Sequence, residues 1–287
     1  MSLSTKLIKL GNKIFPEVKH PFNMQNDGEM TYAEWQYMKG EDTVACYKGK
    51  YYPEDMFPDK VVLDMGCGAA GKSLWYASLG AKRVIGCDIV ERYEEEAMSY
   101  ARRLGLDNVF NFICCSATEL PFPNNTFDTI IMNDFMEHVS EPEEALLEAM
   151  RLLKPDGKLF INFPPWGHPF GAHMSDVIYT PWVHKLFSEK ALIAAYRELC
   201  EGLPDAAERI SLRIHTDERG REYLGYVNRM TLRRFKRILK DYEITPLWYA
   251  ELPLRPQLKP LARFPLTKEL FVRMAVCVLG KKEFRKD

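Results

Sequence analysis

The sequence predicts an α/β fold built on a doubly wound sheet of about seven strands, mostly parallel, with an antiparallel edge strand. Two observations predict it. Between residues 60 and 163, five apolar runs (61–63, 83–87, 110–114, 129–132 and 158–163) alternate with segments of helical period, the pattern of parallel strands joined by crossover helices. Beyond residue 227 the pattern resumes with a helix at 231–240 and two further runs, 244–252 and 270–279, separated by a proline-rich connection.

The elements follow in order. Residues 1–59 carry Tyr32, Trp35, Tyr37, Tyr47, Tyr51 and Tyr52, too many aromatics for a disordered tail, and read as an N-terminal lid segment. Helices are expected at 72–79, 93–104 and 142–153. Ser140 and Glu143 read as a capping box for the last of these, and Lys154-Pro155-Asp156-Gly157 as its stop. After Phe163 regularity is lost: 164–227 mixes Pro, Trp, His and Tyr, with amphipathic stretches near 187–201 and 230–240. The expected organisation is a lid at 1–59, a core from 60–163 and 228–281, and a helical or irregular cap insertion at 164–227.

A chain of 287 residues with 46% hydrophobic content buries one substantial core with an elaboration. Lys and Arg number 39 against 40 Asp and Glu, a formal charge of −1. That balance gives no general attraction to nucleic acid or to a membrane, and favours a small-molecule acceptor as the partner. The seven cysteines form no C-x-x-C pair and read as reduced, buried thiols. No segment approaches the length of a membrane span and no cleavage-type signal precedes the core, so a cytoplasmic protein is expected. Oligomeric state is not legible.

The chemistry concentrates after the first core strand, in Asp64-Met65-Gly66-Cys67-Gly68-Ala69-Ala70-Gly71. Its glycines permit a tight turn, close backbone approach to a ligand and a helix start packed on the sheet. Residues 66–73 also satisfy G-x-x-x-x-G-K-S, so a phosphate-binding loop using Lys72 and Ser73 is an alternative. Against it stands Asp64, whose carboxylate repels phosphate and suits a cation. Asp88 ends the next strand, at the spacing of about 20 residues where an acid takes the ribose hydroxyls of an adenosine. A dinucleotide site shares these features, but no second nucleotide half is recognisable.

Taken in order, VVLDMGCGAAG, VIGCDI, CCSATELPFPNNTFDTIIMNDFMEHV and LLKPDGKLFINF resemble the class I S-adenosylmethionine-dependent methyltransferases, over about residues 60–163. The resemblance implies a Rossmann-like fold and S-adenosylmethionine as cofactor, with S-adenosylhomocysteine as product. It also implies roles. Asp64, Gly66 and Gly68, with Cys67 and Gly71 completing the loop, would meet the methionine end, and Asn133 the methionine moiety. Asp88 would take the ribose, Ser116 and Ala117 the adenine, and Ile89 would pack on the adenine face. Lys72 is not a hallmark of the family.

Methyl transfer is an in-line displacement that positioning and desolvation can drive, with a base needed only for acidic acceptors. His138, just after the fourth strand, is the candidate base; the alternative is that it only packs the loop. Asp134, Glu137 and His138 form D-x-x-E-H, similar to the metal-binding E-x-x-E-H of quinone-pathway O-methyltransferases, but no metal is assigned. Trp166, His168, His173, Tyr179 and Trp182 supply rings for orienting an organic acceptor. The cations between Arg229 and Lys240 alternate with apolar residues and read as the solvated face of an amphipathic helix. The expected function is methyl transfer to a small, aromatic or apolar metabolite, to oxygen ahead of nitrogen or carbon. The alternatives are a nucleotide hydrolase and a non-catalytic S-adenosylmethionine-binding protein.

Overall fold

A computed structural model describes residues 3–281. Seven strands, β1 (Val61–Met65), β2 (Arg83–Asp88), β3 (Phe110–Cys114), β4 (Phe127–Asn133), β5 (Leu153–Phe163), β6 (Trp248–Pro253) and β7 (Val272–Gly280), form one sheet in the order β3-β2-β1-β4-β5-β7-β6. Strands β1 to β5 pair in parallel. β7 runs antiparallel to β5, with Lys158 opposite Gly280 and Phe163 opposite Ala275. The antiparallel strand thus lies one place in from the edge, and β6 takes the edge. The chain moves outward through β1, β2 and β3 and then returns to lay β4 beside β1. This reversal opens a crevice at the carboxyl ends of β1 and β4, the place where such sheets bind ligands.

The helices follow their strands: Gly71–Ser78 packs on β2, Arg92–Leu104 on β3 and Pro142–Leu152 on β5. Val62, Leu74, Tyr76, Val84, Phe110, Phe160, Val276 and Val278 are buried together, and each large side chain so buried contributes roughly 1.5–3 kcal/mol. Phe57 stacks on Tyr76 at 4.5 Å, and the rings of Tyr47 and Tyr51 meet Phe160 edge-on.

The chain groups into two units. The sheet unit holds residues 31–163, 233–252 and 274–281. The cap unit holds the described residues to 30, then 164–232 and 253–273. The stretch 1–59, expected as one lid, is therefore divided after residue 30, and 31–59 belongs with the sheet. In the cap unit, helices Leu3–Ile14, Glu189–Cys200 and Ala206–Arg213 and a two-stranded ribbon, Ile214–Thr216 with Glu222–Leu224, enclose Ile8, Met174, Ile178, Val183, Leu192, Tyr196 and Leu224. A buried carboxylate, Asp176, accepts from the Tyr196 hydroxyl at 2.7 Å and pairs with Arg209 and Arg213, each at 3.3 Å.

Four expectations need correction. Ser140 does not cap helix Pro142–Leu152: Glu141 is the N-cap and makes no side-chain cap bond. Pro142 prefers the first helical position and holds the residue before it out of the α region. The stop Lys154-Pro155-Asp156-Gly157 lies inside β5: Leu153 faces Phe127 and Lys158 faces Thr129 across a register shift, so the four residues bulge from the ladder. The run at 244–252 forms a strand only from Trp248, since Pro246 cannot donate to a ladder. The thiols are all free, but Cys114 is exposed and Cys46 and Cys115 are half-buried.

Candidate active site

The glycine loop leaves β1 through residues in the left-handed region, Gly66 at φ +75°, Gly68 at +56° and Ala70 at +60°. Side chains disfavour this region and glycine does not. Space adds a second constraint. A Cβ on Gly66 would meet the Phe135 ring at 2.3 Å, and one on Gly71 would meet the Ala33 carbonyl oxygen at 1.9 Å. The loop is thus enclosed by the turn after β4 and by helix Tyr32–Met38.

That helix is the main element the sequence reading missed. Thr31 and Glu34 form a capping box at its start, a T-x-x-E signal present in the sequence. The Ala33 N–H donates to Glu96 at 2.8 Å, tying it to helix Arg92–Leu104. Gln36, almost fully buried, reaches across the loop: its Nε2 donates to the Cys67 carbonyl at 3.1 Å and its Oε1 accepts the Gly71 N–H at 3.2 Å. One side chain fixes both ends of the turn.

Asp88 fixes the loop from the other side. Its carboxylate accepts the Gly68 N–H at 2.8 Å and the Val90 N–H at 3.0 Å. Burial raises its pKa and those N–H groups oppose the rise. A carboxylate has about four acceptor positions, so these N–H groups leave capacity for a hydroxyl. The next side chain, Ile89, is 74% exposed, an apolar surface beside a ribose-type acceptor. Ala117 is buried, while Ser116 is exposed and bonds Thr118 at 2.8 Å.

Asp64 is buried beneath the loop and accepts the Ser73 hydroxyl at 2.6 Å. Burial pushes its pKa up to about 6, against that hydrogen bond and the Lys72 charge. The Lys72 ammonium lies 3.0 Å from Asp134 and the Lys72 side chain is only 14% exposed, so it is not the solvated helix residue its position suggests. Lys72 and Ser73, the two side chains a phosphate-binding loop requires, are both held by carboxylates. That arrangement disfavours a phosphate ligand.

β4 ends in a second polar layer. Asn133 Oδ1 accepts from the Tyr47 hydroxyl and from Asn162 Nδ2, each at 2.6 Å, which turns this oxygen toward the sheet unit's interior. Asp134 then takes a left-handed φ of +52°, and the His138 N–H closes a turn onto the Phe135 carbonyl at 2.9 Å. D-x-x-E-H is therefore a turn and not a helical face. Asp134 pairs with Lys72, whereas the Glu137 carboxyl is fully buried without a hydrogen-bond partner, with His138 Nε2 3.8 Å away. Burial, then the Asp134 charge, raises the Glu137 pKa well above the carboxylate range.

The ring-bearing residues expected at the acceptor lie in the cap unit, half-buried. Trp166 packs on His184 at 4.4 Å, under Lys185 and Arg229. Trp182 Nε1 donates to the Gly167 carbonyl, and His168 Nδ1 accepts the Phe170 N–H. These three residues occupy one neighbourhood. The Tyr179 N–H instead donates to Asn12, and the His173 ring lies 6.0 Å from Tyr226. Of the basic run, Arg234 pairs with Glu143 and Lys236 with Glu251. Leu232, Phe235, Ile238 and Leu239 of helix Leu232–Asp241 are buried.

A glycine loop clamped by an acid at the switch point of a parallel sheet defines a Rossmann-like adenosine-cofactor domain. The comparisons give its kind. The family described as Methyltransferase domain matches residues 63–161. The 24-methylenesterol C-methyltransferase 3 of Arabidopsis thaliana is 32% identical over 106 residues, 37% of this chain and 29% of that protein. The ubiquinone/menaquinone biosynthesis C-methyltransferase UbiE of Cronobacter sakazakii is 26% identical over 175 residues, 58% of this chain and 68% of that protein. A solved structure of a geranyl diphosphate methyltransferase in complex with S-adenosylmethionine shares the fold with a TM-score of 0.53 at 16% identity, covering 86% of this chain and 85% of that one. Residues 63–161 therefore carry a methyltransferase domain of the class I S-adenosylmethionine-dependent kind.

Proposed function

We propose that this protein transfers the methyl group of S-adenosylmethionine to a carbon atom of a small, apolar or aromatic metabolite. The observation that carries the cofactor is Asp88, which orders the glycine loop through Gly68 and keeps acceptor capacity beside the exposed Ile89. The chain's residues fit the ligand. Asp88 suits the ribose diol, Ile89 and Ala117 an adenine, and the 66–71 backbone with Asp64 a cationic methionine end. When bound, the cofactor supplies an electrophilic methyl group on a sulfonium.

Carbon is preferred to the oxygen expected from the sequence because the Arabidopsis and Cronobacter relatives described above are named as C-methyltransferases. Attack by carbon leaves a proton to be removed. His138, the one histidine of the sheet unit, stands at the carboxyl end of β4 and is the proposed proton acceptor. The rings of Trp166, His168, His173, Tyr179 and Trp182 are proposed to orient the acceptor.

Incubating the protein with methyl-labelled S-adenosylmethionine and a metabolite extract tests this. A labelled small molecule carrying a new C–CH₃ bond is expected. Cofactor binding with no labelled product would establish instead a non-catalytic binder, and a methyl ether product would return the acceptor atom to oxygen.

A further inference from the structure

Helix Leu3–Ile14 buries one apolar side and leaves another open. Thr5, Ile8 and Gly11 are buried toward helix Glu189–Cys200, and a Cβ on Gly11 would meet Thr180 Oγ1 at 2.0 Å. Asn12 locks that side in place, donating to the Val177 carbonyl at 2.6 Å and accepting the Tyr179 N–H at 2.9 Å. The open side carries Leu3, Leu7, Leu10 and Ile14, all exposed, Leu3 at 73% and Ile14 at 69%. Their i, i+4, i+7, i+11 spacing gathers them within about 60° of arc, at roughly 100° per residue. By the same geometry Lys6, Lys9 and Lys13 line one border of the stripe. Lys9 also pairs with Glu198 at 3.3 Å, and no acidic residue occurs between residues 3 and 16.

A second stretch of the same unit repeats this chemistry. Residues 254–268 contain Arg255, Lys259, Arg263 and Lys268 and no acid, and they expose Leu261, Phe264 and Leu266, the last at 84%. A contiguous aliphatic stripe left in water marks an interaction surface. This one offers no side-chain hydrogen-bonding group along its centre to specify a shaped protein partner, and only positive charge at its border. The matching occupant is apolar inside, negatively charged at its surface and tolerant of position.

We propose that helix Leu3–Ile14, with 254–268 as a second contact, seats this protein on an anionic phospholipid surface, the leucine stripe entering the acyl boundary and the lysines meeting the headgroups. Among the described residues no helix is long and apolar enough to cross a membrane, so the attachment is interfacial. The overall charge of −1 conceals this surface because the acids that balance Lys6, Lys9, Lys13, Arg255, Lys259, Arg263 and Lys268 lie outside the two stretches.

Co-sedimentation of the full chain with phosphatidylcholine vesicles, with and without phosphatidylglycerol, tests it. Binding to the anionic vesicles, weakened by salt, is expected. The double variant Leu7→Glu/Leu10→Glu should reduce partitioning roughly tenfold or more, as should Lys6→Glu/Lys13→Glu at two exposed positions, with melting temperature and S-adenosylhomocysteine binding unchanged. No sedimentation with anionic vesicles, or undiminished sedimentation of both variants, overturns the proposal. A concentration-dependent dimer abolished by Leu7→Glu/Leu10→Glu also overturns it, and assigns the stripe to a second copy of the chain.

Discussion

The Lys72 ammonium and the Asp134 carboxylate lie 3.0 Å apart, bridging the first turn of the helix after the glycine loop to the turn after β4. This contact separates two functions that residues 66–73 support equally as a sequence. A lysine serving a nucleotide phosphate must be free to reach it; here the lysine neutralises an acid beside the buried Glu137. Lys72→Ala should therefore leave S-adenosylhomocysteine affinity within about threefold and lower stability by no more than about 1 kcal/mol, the scale of a partly exposed ion pair. Calorimetric titration and a melting curve check both, and magnesium-dependent ATP binding lost in this variant would contradict the reading.

Gly71 and Gly105 separate crowding from backbone freedom. A Cβ at Gly71 collides with the Ala33 carbonyl, whereas Gly105, at φ +67°, has open space around it. Gly71→Ala should cost about 2–4 kcal/mol or displace helix Tyr32–Met38, and Gly105→Ala about 1 kcal/mol. Chemical denaturation of the two variants measures the difference, and equal losses would contradict the packing of that helix on the loop.

Gln36→Ala removes the bridge between Cys67 and Gly71 while leaving the identity of every residue proposed to contact the cofactor unchanged. Leaving a buried donor and acceptor unpaired costs roughly 1–3 kcal/mol. S-adenosylhomocysteine affinity should fall roughly threefold to thirtyfold, on the view that a looser loop must be ordered on binding. Unchanged affinity would show that the loop keeps its shape without Gln36.

Acid should weaken the cap unit before the sheet unit. Burial holds His20, His168 and His184 at about 4, below the ordinary value near 6.5, so between about pH 6.5 and 4 the unfolded chain binds more protons and stability falls as pH falls. Asp64 is shifted the other way, up to about 6. Folded, it keeps a proton that the unfolded chain releases between pH 4 and 6, and acidification there favours the sheet unit. Peptide-level hydrogen exchange at pH 7, 5.5 and 4.5, corrected for intrinsic rates, should show protection lost first in helices Glu189–Cys200 and Ala206–Arg213. Earlier loss in β1 and β4 would contradict these shifts.

Local pattern made the sheet legible. Apolar runs alternating with helical period place β1 to β5, and the spacing from Gly68 to Asp88 places the acid beside the loop. What was hidden depends on distant partners. Gln36 acts on residues 31 and 35 positions away, and nothing around it in sequence marks that role. The bonds that Tyr47 and Asn162 make to the Asn133 oxygen are likewise set by residues far off in sequence. Ser140 failed as a cap because the Pro142 ring decides where the helix begins, and Trp248 opens β6 because Pro246 cannot.

Titrating the intact protein with S-adenosylhomocysteine and, separately, with magnesium-ATP by isothermal calorimetry tests the central claim most directly. Saturable one-to-one binding of S-adenosylhomocysteine, weakened about tenfold or more in Asp88→Ala, with no heat from magnesium-ATP, is the predicted result. Binding of magnesium-ATP with no response to S-adenosylhomocysteine would contradict it.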